Sequence, residues 1–315
     1  ANVRYHVQVA LTPDMNNFVE LDEASHGAKI TIDAATLAST LTNMEVEAGK
    51  SESDFPMNIP VYFRVRANVE NYSGTPMEGT EKLSNIVSLK NVHLLYSLPP
   101  VNTPDHIYVV GNFCGWKWDN CLEMVQVYGA PEVFWHLVYI DENGIKINTV
   151  RDWDGGEQGF DGITVGGDLA GEIVSAGGNI ASNTPGWYLM IVTTSVSGRN
   201  IVYDVQFNKP EVYLMGTCID GGTYTELNPD ALFTVPTTAD GEFVSPAFTS
   251  DCPGGSGDGV RAYVKIPGHD WWHSEFIVFG KDLVYRAMGG DQERVAGSTG
   301  QKLYINFGTE TGEIK

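Results

Sequence analysis

The chain has 315 residues, and its 40 acidic and 19 basic side chains give a formal net charge of −21. Proteins bind nucleic acid or anionic lipid by neutralising phosphates with many lysines and arginines, so this charge excludes both as main partners. A neutral polysaccharide or another protein remains compatible with it. The 35 glycines and 15 prolines are typical of strands and turns, and the length predicts two or three domains of about 100 residues.

Residues 1–97 are predicted to form a small sandwich with one helix. Val61, Phe63 and Val65 alternate with polar neighbours, as on the buried face of a strand, and Asp33 is placed to cap a helix that follows it. These strands resemble the closing strands of a fibronectin type III or Ig-like domain, whose opening strands have no counterpart here. The resemblance implies a spacer domain in a mature or N-terminally truncated chain, because no signal peptide precedes the first strand.

A Pro-rich linker at 98–105 leads into an internal repeat. Five segments of the first copy return in the same order in the second copy. They are 107–111 with 212–216, 145–150 with 260–265, Asp152-Trp153 with Asp270-Trp271, 177–179 with 289–291, and 186–192 with 301–307. We therefore predict an all-β protein with two homologous β-sandwich modules after the N-terminal domain. The middle module spans 105–208 and the C-terminal module spans 209–315, with a short hinge at 208–210.

Two tryptophans of the middle module lie where a strand gives way to a loop. Trp116 ends the segment GNFCGW, and Trp153 follows the strand IKINTV. An exposed indole can cover the apolar face of a sugar ring, and two indoles on neighbouring loops can follow a curved glucan. The alternative is that both are core residues, because tryptophan is highly buried on average.

The segment VVGNFCGW resembles the VxGxFNxW opening of starch- and glycogen-binding modules. The order of sandwich, tandem modules and a GGNI…GxY ending resembles the SusE/SusF family of outer-membrane starch-binding lipoproteins from Bacteroides-type bacteria, over nearly the whole chain. The resemblance implies that Trp116 and Trp153 stack on glucose, while Lys146 and Asn179 hydrogen-bond to its hydroxyl groups. Arg151 is predicted to share the face of Trp153, since residues two apart on a strand point the same way.

The C-terminal module departs from this pattern. It has no tryptophan equivalent to Trp116, Arg261 replaces Lys146, and Asp291 replaces Asn179. We expect one of its two adjacent indoles to pack inward, because neighbouring residues of a strand point to opposite faces. The candidate glycan-binding residues of this module are Tyr224, Arg261, Trp271 and Trp272.

The four cysteines form two close pairs, Cys114 with Cys121 and Cys218 with Cys252. Four cysteines allow three pairings, of which the two within one module are favoured for an exported protein. Free buried thiols are the alternative. The family that this chain resembles has asparagine at the position of Cys114. The cysteine in its place implies a disulfide with Cys121 that braces the loop.

The resemblance implies non-catalytic binding of starch or a related neutral α-glucan at the cell surface, for a degradation and uptake system. It also implies an outer-membrane location, a lipid anchor upstream of this chain as the membrane contact, and other outer-membrane glycan-uptake proteins as partners. The alternative is a structural or adhesive protein whose exposed aromatic residues anchor a protein partner. The chain lacks HExxH and GxSxG motifs, and we expect no enzyme activity, cofactor or metal.

Overall fold

The computed structural model describes residues 2–27, 29–71, 73–255, 258–287 and 289–315. The chain divides into two compact units, residues 1–100 and residues 101–315, and strands dominate both. No helix in the described ranges is long and apolar enough to cross a membrane. The elements of the first unit are β1 (Asn2–Ala10), β2 (Val19–Ser25), α1 (Ala34–Glu47), β3 (Met57–Glu70), β4 (Lys82–Leu83) and β5 (Val87–Leu94).

The described strands of residues 1–100 form one sheet in the order β2-β1-β3-β4, with β5 also paired to β3. Asp33 caps α1 as predicted, because its carboxylate accepts a hydrogen bond from the Thr36 backbone nitrogen at 2.9 Å. Leu41 of α1 packs with Val9 and Val61 of the sheet, and all three side chains are buried. The core of this unit therefore lies between the sheet and the helix.

The strands of residues 101–315 follow the internal repeat. The middle module contributes β6 (Tyr108–Gly111), β7 (Leu122–Glu123), β8 (Val125–Val127), β9 (Ala130–Ile140), β10 (Ile145–Asn148), β11 (Thr164–Gly166), β12 (Ile173–Ala176), β13 (Asn179–Ser182), β14 (Gly186–Ser197) and β15 (Asn200–Asn208). The C-terminal module contributes β16 (Val212–Met215), β17 (Phe243–Val244), β18 (Arg261–Val264), β19 (Glu275–Phe279), β20 (Asp282–Tyr285), β21 (Leu303–Asn306) and β22 (Thr311–Ile314).

Short 3₁₀ helices lie in many of the connections between these elements. In the described part of the chain they are Glu52–Asp54, Asn112–Cys114, Trp118–Asn120, Phe160–Gly162, Ala170–Glu172, Asp220–Gly222, Pro229–Ala231 and Trp271–His273.

These described strands build three sheets. The outer sheet has the order β12-β13-β10-β6-β7, and the central sheet has the order β11-β15-β14-β9-β8. The C-terminal sheet has the order β16-β18-β19-β20-β22-β21-β17. The pairing of β6 with β10 recurs as the pairing of β16 with β18, antiparallel in both copies. The tandem β-sandwich architecture predicted from the repeat is confirmed.

The central sheet separates two hydrophobic cores. Side chains alternate along β9, so Phe134 and Val138 belong to the core shared with the outer sheet. Trp135 and Leu137 point the other way, into a core that continues through the C-terminal module to residues such as Phe276. The segment 208–210 therefore joins two modules that share one hydrophobic core.

Specific contacts accompany this shared core. The Trp187 ring meets the Phe243 ring edge to face, with centroids 5.2 Å apart, and its indole nitrogen donates to the Thr238 carbonyl at 3.0 Å. The Nε2 atom of buried His136 lies 2.7 Å from Oε1 of Glu310. Both apolar packing and polar pairing thus hold the two modules together.

Candidate functional site

Lys146 and Asn179 lie opposite each other on neighbouring strands of the outer sheet. Ile145 pairs with Ile180 across β10 and β13, and the antiparallel register then sets Lys146 against Asn179. Both isoleucines point into the core, so Lys146 and Asn179 point to the outer face. The Asn179 amide donates to the Asn143 carbonyl at 2.9 Å, which fixes the orientation of its side chain. These two predicted residues therefore share one surface.

Two indoles stand together near the end of β6. The ring centroids of Trp116 and Trp153 are 6.5 Å apart, and their planes are inclined by only 29°. Trp153 is 48% exposed, while Trp116 is partly buried. Trp116 has a left-handed backbone with φ of 59°, which is uncommon for a residue with a side chain. We call Trp116 and Trp153 the middle platform.

Sequence reasoning missed a third indole that supports this pair. Trp118 is 5% exposed, and its ring meets the Trp153 ring edge to face at 5.2 Å. Its spacing two residues after Trp116 was the only signal in the sequence. Because Trp118 is buried, it forms a support behind Trp153 rather than a binding surface.

The loop that carries Trp153 is held from within by a buried amide. The Asn148 Nδ2 atom donates to the Asp152 carbonyl and to Oδ1 of Asp154, both at 2.9 Å. The hydrogen bond from Asn148, followed by that from the Gly156 backbone, lowers the pKa of Asp154. The carboxylates of Asp152, Asp154 and Glu157 therefore all accept hydrogen bonds from within this acidic loop. Within the described ranges, no group of three or more His, Cys, Asp or Glu side chains could hold a metal ion.

A glycine allows this loop to return to the sheet beside Asn179. A Cβ atom on Gly159 would lie 2.0 Å from the Gly178 carbonyl oxygen, so a side chain there is excluded by backbone. The same position lies 3.8 Å from Cε of Lys146. The next residue, Phe160, donates its backbone N–H to the Gly178 carbonyl at 2.9 Å. The Gly177-Gly178 turn, the loop end and Lys146 thus meet at one place.

Arg151 forms an ion pair with a carboxylate on β7. Its Nη2 atom donates to Oε2 of Glu123 at 2.8 Å, and its guanidinium lies 4.7 Å from the centre of the Tyr108 ring. The other carboxylate oxygen of Glu123, Oε1, lies 2.8 Å from Nδ1 of His106. That Arg151 shares the face of Trp153 stays a prediction, and its guanidinium is held by Glu123 and Tyr108.

The C-terminal module brings together an equivalent aromatic pair. The Tyr224 and Trp271 rings are 5.7 Å apart and inclined by 22°, and Tyr224 has a left-handed φ of 56°, as Trp116 does. Tyr263 supports Trp271 edge to face at 6.4 Å. We call Tyr224 and Trp271 the C-terminal platform.

Arg261 lies behind this platform instead of bordering it. Its side chain is 8% exposed, and Nη1 donates to Oε2 of Glu275, itself 1% exposed, at 3.0 Å. Arg286 binds the other oxygen of Glu275, and the Arg261 guanidinium lies 5.7 Å from the Trp271 ring centre. Arg261 is therefore committed to a buried ion pair, unlike Lys146, which makes no ion pair among the described residues.

Trp272 points away from the C-terminal platform. Its ring lies 5.5 Å from that of Tyr128 in the middle module, and the Arg286 guanidinium lies over both rings. The two adjacent tryptophans lie in a 3₁₀ helix, where successive side chains diverge by about 120°. Trp271 thus belongs to the platform, whereas Trp272 belongs to the contact between modules.

The expected disulfides are not present in the structure, which has all four cysteines as free thiols. The Cys114 sulfur donates to the Gly111 carbonyl at 3.2 Å, and the Cys252 sulfur donates to Oδ1 of Asp258 at 2.9 Å. Burial raises the pKa of Cys218 to about 12, and it also raises the pKa of Cys252. The alternative of free thiols therefore describes the structure, and the buried pair is held protonated.

Comparisons with known proteins agree with this geometry. The family model described as "SusF/SusE starch specific CBMs", that is, carbohydrate-binding modules, matches twice, at residues 106–204 and 211–313. Outer membrane protein SusF of Bacteroides thetaiotaomicron is 38% identical over 243 residues, which are 73% of this chain and 47% of that protein. The chain therefore spans about half the length of this curated relative.

The solved structures contain a similar fold. The crystal structure of SusF from Bacteroides thetaiotaomicron matches with a TM-score of 0.52 and 26% sequence identity, covering 91% of this chain and 86% of that one. The two family matches together cover more than half of the chain and coincide with the two modules that carry the aromatic pairs. The chain therefore belongs to the SusF/SusE family of starch-specific carbohydrate-binding modules, of which it contains two copies.

Proposed function

We propose that this protein binds starch or a related neutral α-glucan without cutting it, at the surface of the outer membrane. The observation that carries the proposal is the stacked pair of indoles of Trp116 and Trp153, in the same module whose outer sheet face carries Lys146 and Asn179. The family membership and the name of the relative, an outer membrane protein, support the ligand class and the location. In this role, the protein captures polysaccharide for other outer-membrane proteins that degrade and import it.

The middle platform and the two polar residues Lys146 and Asn179 have distinct roles in the proposal. The inclined planes of Trp116 and Trp153 cover the apolar faces of adjacent glucose rings along a curved chain. Lys146 donates to vicinal hydroxyl groups, and the Asn179 carboxamide oxygen accepts from one of them. Tyr224 and Trp271 form a second platform of the same kind. Residues 1–97 serve as a spacer.

The size of the contact predicts weak binding by a single platform. Covering about 100 Å² of each of two indoles contributes about 2.5 kcal/mol per ring. Association costs at least about 4 kcal/mol in lost translation and rotation, so a few hydrogen bonds supply the net affinity. We expect a dissociation constant between the upper micromolar and the millimolar range for a short oligosaccharide.

Native gel electrophoresis with soluble starch in the gel tests the proposal. We expect starch to retard the wild-type protein, and we expect Trp153→Ala and Trp116→Ala each to reduce the retardation, with a further loss when Trp271→Ala is added. Phe279→Ala is the matched control, because Phe279 is 53% exposed and belongs to neither platform. An unretarded wild-type protein, or platform variants retarded as strongly as the wild type, would contradict the proposal. Reducing ends released from starch during long incubation would contradict the non-catalytic role.

A further inference from the structure

Two histidines of the C-terminal module lie together at its contact with the middle module. His269 and His273 flank the two tryptophans of the segment HDWWH, which includes the 3₁₀ helix Trp271–His273. Their spacing, with three residues in between, also occurs between the paired histidines of structural zinc sites. The His273 N–H donates to the Asp270 carbonyl at 3.0 Å, and this turn brings the two imidazole rings together.

The separation of the two rings fits ligation of a single metal ion. The ring centres of His269 and His273 are 5.3 Å apart, and the ring planes are inclined by 61°. An imidazole nitrogen lies about 1 Å from its ring centre and about 2.0–2.1 Å from a bound zinc ion, so two rings on one tetrahedral ion have centres about 5 Å apart. The same distance also suits edge-to-face packing of two rings, so the hydrogen bonds of the rings decide between the two arrangements.

The hydrogen bonds of the rings leave metal-binding nitrogens available. Nδ1 of His273 is hydrogen-bonded to the Tyr128 carbonyl, whereas Nε2 of His273 and both ring nitrogens of His269 have no hydrogen-bond partner among the described residues. A histidine that ligates a metal through one ring nitrogen usually donates the other to a carbonyl or carboxylate, which fixes its tautomer and orientation. The Tyr128 N–H in turn donates to the His273 carbonyl at 2.8 Å. The middle module therefore holds the His273 ring in the state that a metal ligand requires.

The charges around the pair are compatible with a bound cation. The carboxylates of Glu132 and Asp270 act electrostatically on His269 and favour positive charge there, whereas the Lys265 ammonium opposes it. Lys265 is compensated by its own ion pair with Glu226 and donates to the His269 carbonyl at 2.6 Å. His269 and His273 are both only partly buried, so water can reach an ion held between them.

We infer that His269 and His273 bind one divalent transition-metal ion, such as zinc, with water in its remaining coordination positions. Imidazole nitrogen suits Zn²⁺, Ni²⁺ and Cu²⁺, whereas Ca²⁺ and Mg²⁺ prefer oxygen ligands. The ion closes the turn that carries Trp271 and strengthens the contact of His273 with Tyr128 of the middle module. The expectation of no metal rested on the lack of an HExxH motif and does not cover a site with only two histidines.

Calorimetric titration of the tag-free wild-type chain with zinc chloride tests the site. We expect one zinc ion per chain and no binding of magnesium chloride. His269→Asn and His273→Gln should each weaken zinc binding by at least about tenfold, since even the loss of an outer-shell partner costs about 10–100-fold. His93→Gln is the matched control, because His93 is an exposed histidine of β5 outside the pair, and it should bind zinc as the wild type does. A wild-type chain that binds no zinc, or a His269→Asn chain that binds it equally well, would overturn the inference.

Thermal unfolding with and without zinc is a second readout. Zinc should raise the melting temperature of the wild type and of His93→Gln, because an ion that binds the folded state stabilises it. The melting temperature of His269→Asn should not respond to zinc. Since the His269 ring makes no hydrogen bond among the described residues, this variant should fold like the wild type, and circular dichroism verifies that it does. Anomalous X-ray scattering from zinc-soaked crystals locates the ion, and an ion bound away from both histidines would refute the assignment.

Discussion

Trp153 and Trp118 touch each other, yet their environments assign them different energetic roles. Trp153 is 48% exposed, whereas Trp118 is 5% exposed and meets it edge to face. Removing a buried indole leaves a cavity, but removing an exposed one mainly loses ring contacts. Substitutions at the two positions should therefore separate loss of stability from loss of binding.

Trp118→Ala should lower the free energy of unfolding by about 3–5 kcal/mol, as expected for a large buried ring. Trp153→Ala should lower it by about 1 kcal/mol, the contribution of an aromatic pair. Both variants should weaken starch binding. Trp153→Ala removes a platform ring, and Trp118→Ala removes the ring that supports Trp153. Urea denaturation and starch affinity gels measure the two effects. Equal stability losses for the two variants would show that Trp118 is not a core support.

At the scale of elements, the loop between β10 and β11 positions the middle platform. Asn148, 4% exposed at the end of β10, bonds to the loop at both Asp152 and Asp154. Arg151 ties the same loop to Glu123 of β7. The strand that carries Lys146 thus also fixes the loop that carries Trp153, which keeps the polar and aromatic parts of the site in register.

Asn148→Ala should weaken starch binding although Asn148 itself is not on the surface. The substitution removes the Asn148 hydrogen bonds to the Asp152 carbonyl and to the Asp154 carboxylate, which keeps only its bond from the Gly156 backbone, and it should lower the free energy of unfolding. The loop should then lose its fixed conformation around Trp153. Affinity gels and urea denaturation measure both effects. Asn200→Ala, at the exposed first position of β15, is the control. Unchanged binding by Asn148→Ala would exclude a positioning role.

At the scale of the whole molecule, polar groups inside the module contact make the stability of residues 101–315 depend on pH. Burial disfavours the charged form of His136, but the carboxylate and hydrogen bond of Glu310 outweigh burial and raise the pKa of His136. The ring also faces Tyr285, whose pKa burial raises, and Phe307. A histidine with a raised folded-state pKa contributes stability at low pH, and that contribution is lost as pH rises through the folded-state value.

We therefore expect the wild-type melting temperature to fall relative to that of His136→Gln as the pH rises from 6 to 9. The decline should begin near the unfolded-state pKa of about 6.5 and continue through the raised pKa of the folded protein. Differential scanning calorimetry of both proteins across this range measures it. His269 has a lowered pKa caused mainly by burial, but it is present in both proteins and cancels in the comparison. Parallel pH profiles would show that the His136–Glu310 pair makes no such contribution.

Local sequence patterns were sufficient for the elements and for the two modules. Alternation of apolar residues predicted the strand around Val61, and Asp33 predicted the start of α1. The repeat predicted the two modules, and the spacing of Trp116 and Trp153 predicted that they meet. These predictions succeed because each rests on residues close in sequence or on a pattern that appears twice.

Only the tertiary structure decided which partner each charged or aromatic side chain takes. Arg151 pairs with Glu123, 28 positions away, and His136 meets Glu310, 174 positions away. No local pattern encodes such a pair, because the partner is chosen by how the sheets pack. The sequence alone determined that this protein has two sandwich modules, because the repeated segments occur in the same order in both. Only the folded chain decided that Arg261 is buried against Glu275 and that Trp272 packs on Tyr128 between the modules, because these partners are distant in sequence.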